Sequence, residues 1–192
     1  MKHKVCYVTT LPVTLKTFVL KSAIYNLSEG DWDISFICNR TKGFEEELPS
    51  KIKYFPITLK RGISLSGFIS IVQLYKIFKK EKYELVQYST SNAGCYASIA
   101  AKMAGIPIRL YCQWGLDYPA FSGIKRLLFK TIERIICLFS TNVQPDSYGN
   151  LEIAINDHLY DKEKGMVIGN GSASGVDLER FNIDKKMYGE TR

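Results

Sequence analysis

The chain has only two histidines among its 192 residues, His3 and His158, and they lie near opposite ends of it. So sparse a supply gives neither a metal site nor a histidine-centred nucleophile relay. No apolar run approaches the roughly 20 residues needed to cross a bilayer. The start, Met1-Lys2-His3-Lys4-Val5-Cys6, passes from basic residues directly into a strand-like segment. It lacks the pattern of a secretory signal, and a cytoplasmic protein is expected. Cysteine is scattered as Cys6, Cys38, Cys95, Cys112 and Cys137, an odd number among apolar neighbours without metal-ligand spacing, so reduced thiols are expected. The segment after the first strand pattern, Thr9-Thr10-Leu11-Pro12-Val13-Thr14, holds no G-x-G-x-x-G. That absence speaks against a nicotinamide or flavin enzyme.

What is present is ordinary in bulk and informative in order. Hydrophobic residues make up 46% and charged residues 23%, a balance that suits a folded domain rather than a disordered chain or a coiled coil. The length accommodates one domain with a short tail. A formal charge of +7 points to anionic company, whether nucleic acid, lipid headgroups or a phosphorylated substrate. Nucleic acid is disfavoured because most Tyr and Phe residues fall inside strand patterns instead of interleaving with a basic stripe.

Strand patterns at residues 5–8, 34–38, 52–55, 85–88, 108–112, 142–144 and 166–168 alternate with helical patterns at about 15–27, 67–80, 94–103, 124–139 and 150–156. The helix over 124–139 carries Leu128, Ile132, Ile135 and Phe139 at helical spacing. Alternation of this kind predicts an α/β fold, a Rossmann-like, doubly wound parallel sheet with helices on both faces. Ligands of such folds bind beyond the carboxyl ends of the strands. That selects the loops at 9–14, 89–93, 113–123 and 146–148.

Each loop has a functional and a plain reading. Thr14 can receive a phosphate or cap the helix that follows. Tyr88-Ser89-Thr90-Ser91-Asn92-Ala93-Gly94 opens a helix rich in small residues, as a ligand contact or simply as a cap. Gln113-Trp114-Gly115-Leu116-Asp117-Tyr118 gathers an amide, an indole, a carboxylate and a phenol, which suits a polar ligand with apolar sugar faces; packing within the turn is the alternative for Trp114. Arg126, Lys130 and Arg134 fall four apart on one helix, and Lys76, Lys79, Lys80 and Lys82 end another. Either run reads as a solvated face, and becomes a membrane contact if Phe121, Phe129 and Ile69 lie exposed beside it.

The passage Val167-Ile168-Gly169-Asn170-Gly171-Ser172-Ala173-Ser174-Gly175-Val176-Asp177-Leu178-Glu179-Arg180-Phe181 resembles the N-G-(insert)-G-V-D-x-x-x-F interdomain passage of glycosyltransferase family 4. Lys60-Arg61-Gly62-Ile63-Ser64, Ser89-Thr90-Ser91-Asn92-Ala93-Gly94 and Tyr111-Cys112-Gln113-Trp114-Gly115-Leu116 agree with it. Within that family the chain resembles the capsular and exopolysaccharide enzymes. The resemblance implies a GT-B fold of two Rossmann-like halves, of which residues 1–181 correspond to the acceptor-side half and 182–192 to a polar tail or the start of the linker. It implies retaining, metal-independent transfer from a nucleotide sugar, a co-substrate rather than a cofactor, to a lipid-linked saccharide. Thr10, Pro12, Ser91, Asn92, Gln113, Trp114, Gly115, Asp146 and Ser147 are then cleft residues, while Arg126, Lys130 and Arg134 meet an anionic membrane or the lipid diphosphate at its inner face. No catalytic residue is assigned. Relatives continue past Phe181 into a donor domain, so the chain alone is expected to be inactive and to need a donor-binding domain or subunit. The competing readings are a non-catalytic α/β module that binds a phosphorylated or saccharide ligand, and a truncated remnant.

Overall fold

A computed structural model describes residues 2–59, 65–176 and 178. The Lys60–Ser64 motif, much of the 177–181 passage and the tail at 182–192 lie outside the described residues. Among the described residues six strands form one sheet: β1 (His3–Val8), β2 (Trp32–Cys38), β3 (Lys53–Pro56), β4 (Leu85–Ser89), β5 (Ile108–Gln113) and β6 (Asn142–Pro145). Every neighbouring pair is parallel, in the order β3-β2-β1-β4-β5-β6. The helices are α1 (Pro12–Phe18), α2 (Leu20–Ser28), α3 (Leu65–Glu81), α4 (Ser91–Ala104), α5 (Gly123–Phe139) and α6 (Tyr148–Asn156). The expected doubly wound α/β architecture is present.

Strands covered on both faces read as continuous apolar runs. In β1, Cys6 and Val8 join the core beneath α3, α4 and α5, while Val5 and Tyr7 join the core beneath α1 and α2. Glycines on α3 and α4 permit close helix packing. A Cβ at Gly67 of α3 would stand 2.8 Å from the Tyr96 ring of α4, and one at Gly94 would stand 3.3 Å from Ile136 of α5.

Three expectations fail. The helical pattern over 15–27 is two helices, broken at Val19 (φ −121°, ψ −38°). The first of them starts at Pro12, whose fixed φ suits a first helical position, so Thr14 lies inside α1 and does not cap it. Residues 166–168 form no strand: the chain touches β6 through one bridge, Val143 to Gly165, and the bond from Met166 N–H to Val143 O. Strand residues there would stay half bare, and Met166 and Ile168 are exposed.

Beyond that point the chain turns back across the end of β6, where Ser172 N–H donates to Asp146 O at 2.5 Å. The turn needs glycine at 171. Its φ is +89°, and a Cβ would come within 2.7 Å of the Asp146 carbonyl oxygen. Gly175 also has a positive φ, +74°, but nothing lies within 4 Å of its Cβ position. Alanine at 175 therefore meets only the left-handed backbone penalty of about 1–2 kcal/mol, whereas alanine at 171 adds a collision with main chain. Gly171→Ala is expected to lower stability by more than Gly175→Ala, in urea denaturation of the two variants side by side.

Candidate functional site

β1 and β4 are neighbours whose following helices depart to opposite faces of the sheet, which opens a crevice at their carboxyl ends. A cavity of about 530 Å³ lies there. Thr10 and Leu11 form one wall; Thr90, Ser91 and Asn92 form another; Trp114, Gly115 and Asp117 come from the loop after β5; Leu128, Phe129 and Ile132 of α5 close the side.

The crevice is tied across its narrow end by a 2.8 Å hydrogen bond between the Thr10 and Thr90 hydroxyls. Thr90 sits at φ +67°, ψ 140°, a conformation that costs a non-glycine residue on the order of 1–3 kcal/mol and tends to persist where surrounding structure imposes it. The Thr90 carbonyl accepts from Gly94 N–H at 2.8 Å and so starts α4. Strain at this turn delivers Ser91 and Asn92 to the cavity at the first turn of a helix.

Trp114 is set by packing. Its ring lies 4.7 Å from that of Phe18 on α1, and its buried indole N–H has no partner among the described residues. Gly115, at φ +92°, turns the chain away immediately after it.

Beneath the cavity is a carboxyl that the sequence reading did not single out. Glu133, on the buried side of α5, is 2% exposed. Tyr111 O–H donates to it at 2.9 Å, Ser91 O–H at 3.2 Å and the Gln113 amide at 3.4 Å. Burial pushes its pKa up to about 7, against the lowering effect of these neutral donors, and the like charge of Asp117 adds to the rise. The other end of Gln113 accepts from Tyr160 O–H at 3.2 Å.

Five of the expected cleft residues, Thr10, Ser91, Asn92, Trp114 and Gly115, thus come together on one cavity. Four do not line it. Gln113 is fully buried, with both ends of its amide engaged, because it is the last residue of β5 and points into the layer below. Pro12 is buried at the start of α1. Ser147 caps α6 by accepting from Asn150 N–H at 3.2 Å, and the Asp146 carboxylate accepts from the Asn150 amide at 2.6 Å. Both belong to the seat of the 166–172 segment.

The basic stripe is engaged within the molecule. Lys130 pairs with Asp157 at 2.5 Å and Arg126 reaches it at 3.9 Å, while Arg134 donates to the His158 and Asp157 carbonyls at 3.3 and 3.4 Å. The expected apolar face of α5 is also rotated. Leu128 is 44% exposed, and the inward row is Phe129, Ile132, Glu133, Ile136 and Cys137. Phe121 and Phe129 pack on each other with ring centroids 4.9 Å apart, and Ile69 is exposed.

These features define a Rossmann-like domain whose ligand crevice lies at the point where the strand order reverses. Among solved structures it resembles UDP-N-acetylglucosamine 2-epimerase from Rickettsia bellii (TM-score 0.69, 18% identity, 95% of this chain and 48% of that one). It also resembles Anabaena Alr3699/HepE in complex with UDP and glucose (TM-score 0.61, 14% identity, 92% and 46%). At these identities the likeness is one of fold. Residues 4–147 match the glycosyl transferase 4-like family. Among curated relatives, a UDP-Gal:alpha-D-GlcNAc-diphosphoundecaprenol alpha-1,3-galactosyltransferase of Escherichia coli is 32% identical over 201 residues, covering 94% of this chain and 46% of the relative. The capsular polysaccharide biosynthesis glycosyltransferase CapM of Staphylococcus aureus is 31% identical over 135 residues, covering 70% and 36%. The chain belongs to the glycosyl transferase 4-like family, and it spans less than half the length of these curated relatives.

Glu133 gives a stability prediction whose sign is fixed. Its folded pKa stands above the unfolded one, so its contribution is fully present below the ordinary carboxylate range and is lost as pH rises through about 7. Glu133→Gln removes that loss. From pH 5 to pH 8 the variant is expected to gain stability relative to wild type by up to about 3 kcal/mol, read from urea unfolding at several pH values; parallel curves for the two proteins would contradict it.

Proposed function

We propose that this chain is the acceptor-binding domain of a retaining glycosyltransferase that moves a sugar from a nucleotide-sugar donor to a lipid-linked saccharide in surface polysaccharide synthesis. The observation that carries this reading is the cavity at the β1–β4 crevice, walled by Trp114 and rimmed by the Thr10, Thr90 and Ser91 hydroxyls, in a chain of this family. An indole beside hydroxyls suits a sugar ring, which has an apolar face and a polar edge. The relative named for GlcNAc-diphosphoundecaprenol and UDP-Gal supplies the class of acceptor and donor. The donor is a co-substrate, and its diphosphate leaving group is held by a donor-binding domain or subunit. The part assigned to this chain is to hold the attacking hydroxyl in place.

The outer side of α5 supports a place for the lipid. Ile124, Leu127 and Leu138 are 87%, 65% and 69% exposed. They share one face of α5 with Leu128, which is both partly exposed and part of the cavity wall. Lys125 lies beside the start of that row. Exposed apolar residues beside basic ones suit the headgroup level of an anionic membrane, here the cytoplasmic face of the inner membrane. Among the described residues no helix is long and apolar enough to cross a membrane.

Two measurements test this. Radiolabelled sugar transfer from a panel of nucleotide sugars to a lipid-diphosphate-linked N-acetylglucosamine is expected once a donor domain is supplied, and Trp114→Ala is expected to lower it at least about tenfold by loss of the aromatic platform. Transfer unaffected by Trp114→Ala would remove the cavity from the reaction. Sedimentation with anionic liposomes is expected for the wild type and should weaken by roughly tenfold or more in Ile124→Asp/Leu127→Asp, which takes two apolar side chains out of the bilayer boundary; equal sedimentation of the two proteins would place the membrane contact elsewhere.

A further inference from the structure

The acceptor-binding reading leaves Glu133 without a role, although burying a carboxyl among uncharged groups is costly. Its hydrogen-bond partners Tyr111, Ser91 and Gln113 are all neutral. Two of these, Tyr111 and Ser91, also line the cavity. The Ser91 hydroxyl stands 3.2 Å from a Glu133 oxygen and 3.4 Å from a carboxylate oxygen of Asp117. A serine has one proton to donate and two lone pairs with which to accept. Whichever carboxylate holds that proton, the side of Ser91 left for a ligand is its lone pairs.

We propose that Glu133 is a positioning residue that sets the hydrogen-bond polarity of this end of the cavity: by holding the Ser91 proton it makes Ser91 an acceptor toward the ligand, so that the site takes an uncharged sugar hydroxyl, which donates, and turns away a phosphate, which only accepts. This rests on the acceptor-binding reading above and adds the chemistry of recognition to it. It places the sugar ring in the cavity and the lipid-linked diphosphate outside, away from Asp117 and Glu133.

The same geometry makes the acceptor capacity of Ser91 depend on Glu133, because a protonated Glu133 takes up one of the serine's two lone pairs. Once Glu133 takes up a proton, its own O–H can donate to Ser91, and the Ser91 proton is released toward Asp117 or the cavity. The titratable groups facing Glu133 are Cys95 on α4, Tyr111 on β5, Asp117 and Tyr118 in the β5–α5 connection, Cys137 on α5 itself and Tyr160 after α6. Burial raises the pKa of every tyrosine and cysteine among them, Cys95 to about 11. They stay neutral between pH 5.5 and 8.5, which leaves Glu133 to govern this corner.

The test uses the full chain, with methyl α-glycosides of glucose, galactose and N-acetylglucosamine as ligands and glucose 6-phosphate as the anionic probe, followed by tryptophan fluorescence in a Trp32→Phe background and saturation-transfer NMR. Wild-type binding is expected to tighten about fivefold from pH 5.5 to 8.5, the value of one net hydrogen bond. Glu133→Gln, which keeps the volume but has one acceptor and one donor end and does not titrate, and Ser91→Ala should each change by less than about twofold over that range. Glucose 6-phosphate should bind the wild type more weakly than the methyl glucoside at pH 8.5. A purely structural Glu133 would leave wild type and Glu133→Gln with the same pH profile, and that result would overturn its positioning role while the acceptor-binding reading stands. Tighter binding of the phosphate would overturn the polarity argument. If no glycoside bound either protein at any pH, the acceptor-binding reading would fall and this proposal with it.

Discussion

The crevice exists because β1 is buried on both faces and paired on both edges. The helix that follows β1 and the helix that follows its neighbour β4 leave for opposite faces of the sheet, so α1 and α4 cannot pack against each other where they depart. Every other feature of the site depends on holding that divergence at a fixed width. The Thr10–Thr90 hydroxyl bond spans it directly, and the left-handed backbone of Thr90 aims the first turn of α4 into it. Strain is tolerable here because the rest of α4, with Ala97, Ala100 and Ala101 fully buried, is anchored by close packing.

The far wall is positioned by charge. Asp157, at the end of α6, receives Lys130 and the Tyr118 hydroxyl at 2.5 and 2.7 Å, which hold its carboxyl below the usual range. Arg126 and Arg134 close on the same helix end, where cations meet the negative end of the helix dipole. This cluster acts together with the buried row of Phe129, Ile132, Ile136 and Cys137 to hold the rotation of α5 about its own axis. Once that rotation is fixed, Glu133 must face inward and Ile124, Leu127 and Leu138 must face out. The arginine and lysine row that looks like a free basic surface in the sequence is therefore partly a clamp, and what α5 offers the outside is mostly apolar.

The fold was legible because alternating strand and helix patterns leave few topologies, and the loops at carboxyl ends follow from topology before any motif is invoked. That route selects the loops that hold Thr10, Ser91, Asn92, Trp114 and Gly115, and the family resemblance points to those residues within them. Gln113 was not separable from Trp114, since a one-residue difference at a strand end decides which side chain enters the layer below. The break at Val19 was unreadable, since valine carries no breaker signal. The pattern over 166–168 looked like a strand because apolar residues do not state how many partners they will meet. Glu133 was passed over because a charged residue in a helix is usually solvated. Its signal was spacing, four residues after Phe129 and four before Cys137, inside the row that a rotated α5 buries.

That misreading shows why polar burial matters in such a site. A leucine at 133 would pack α5 as well and avoid the cost of desolvating a carboxyl, and replacement of buried charges by apolar residues is often stabilising. Retaining a carboxyl there makes physical sense where its hydrogen bonds organise groups that the ligand touches, and two of its three partners, Tyr111 and Ser91, reach the cavity wall. The third, Gln113, passes the constraint on to Tyr160 beyond α6, next to the segment that crosses the end of β6. The orientation of Ser91, the rotation of α5 and the seating of the chain beyond α6 are thus connected through one buried network. The Tyr111, Gln113 and Tyr160 bonds of this network are buried, so a change at one of them is felt along the rest.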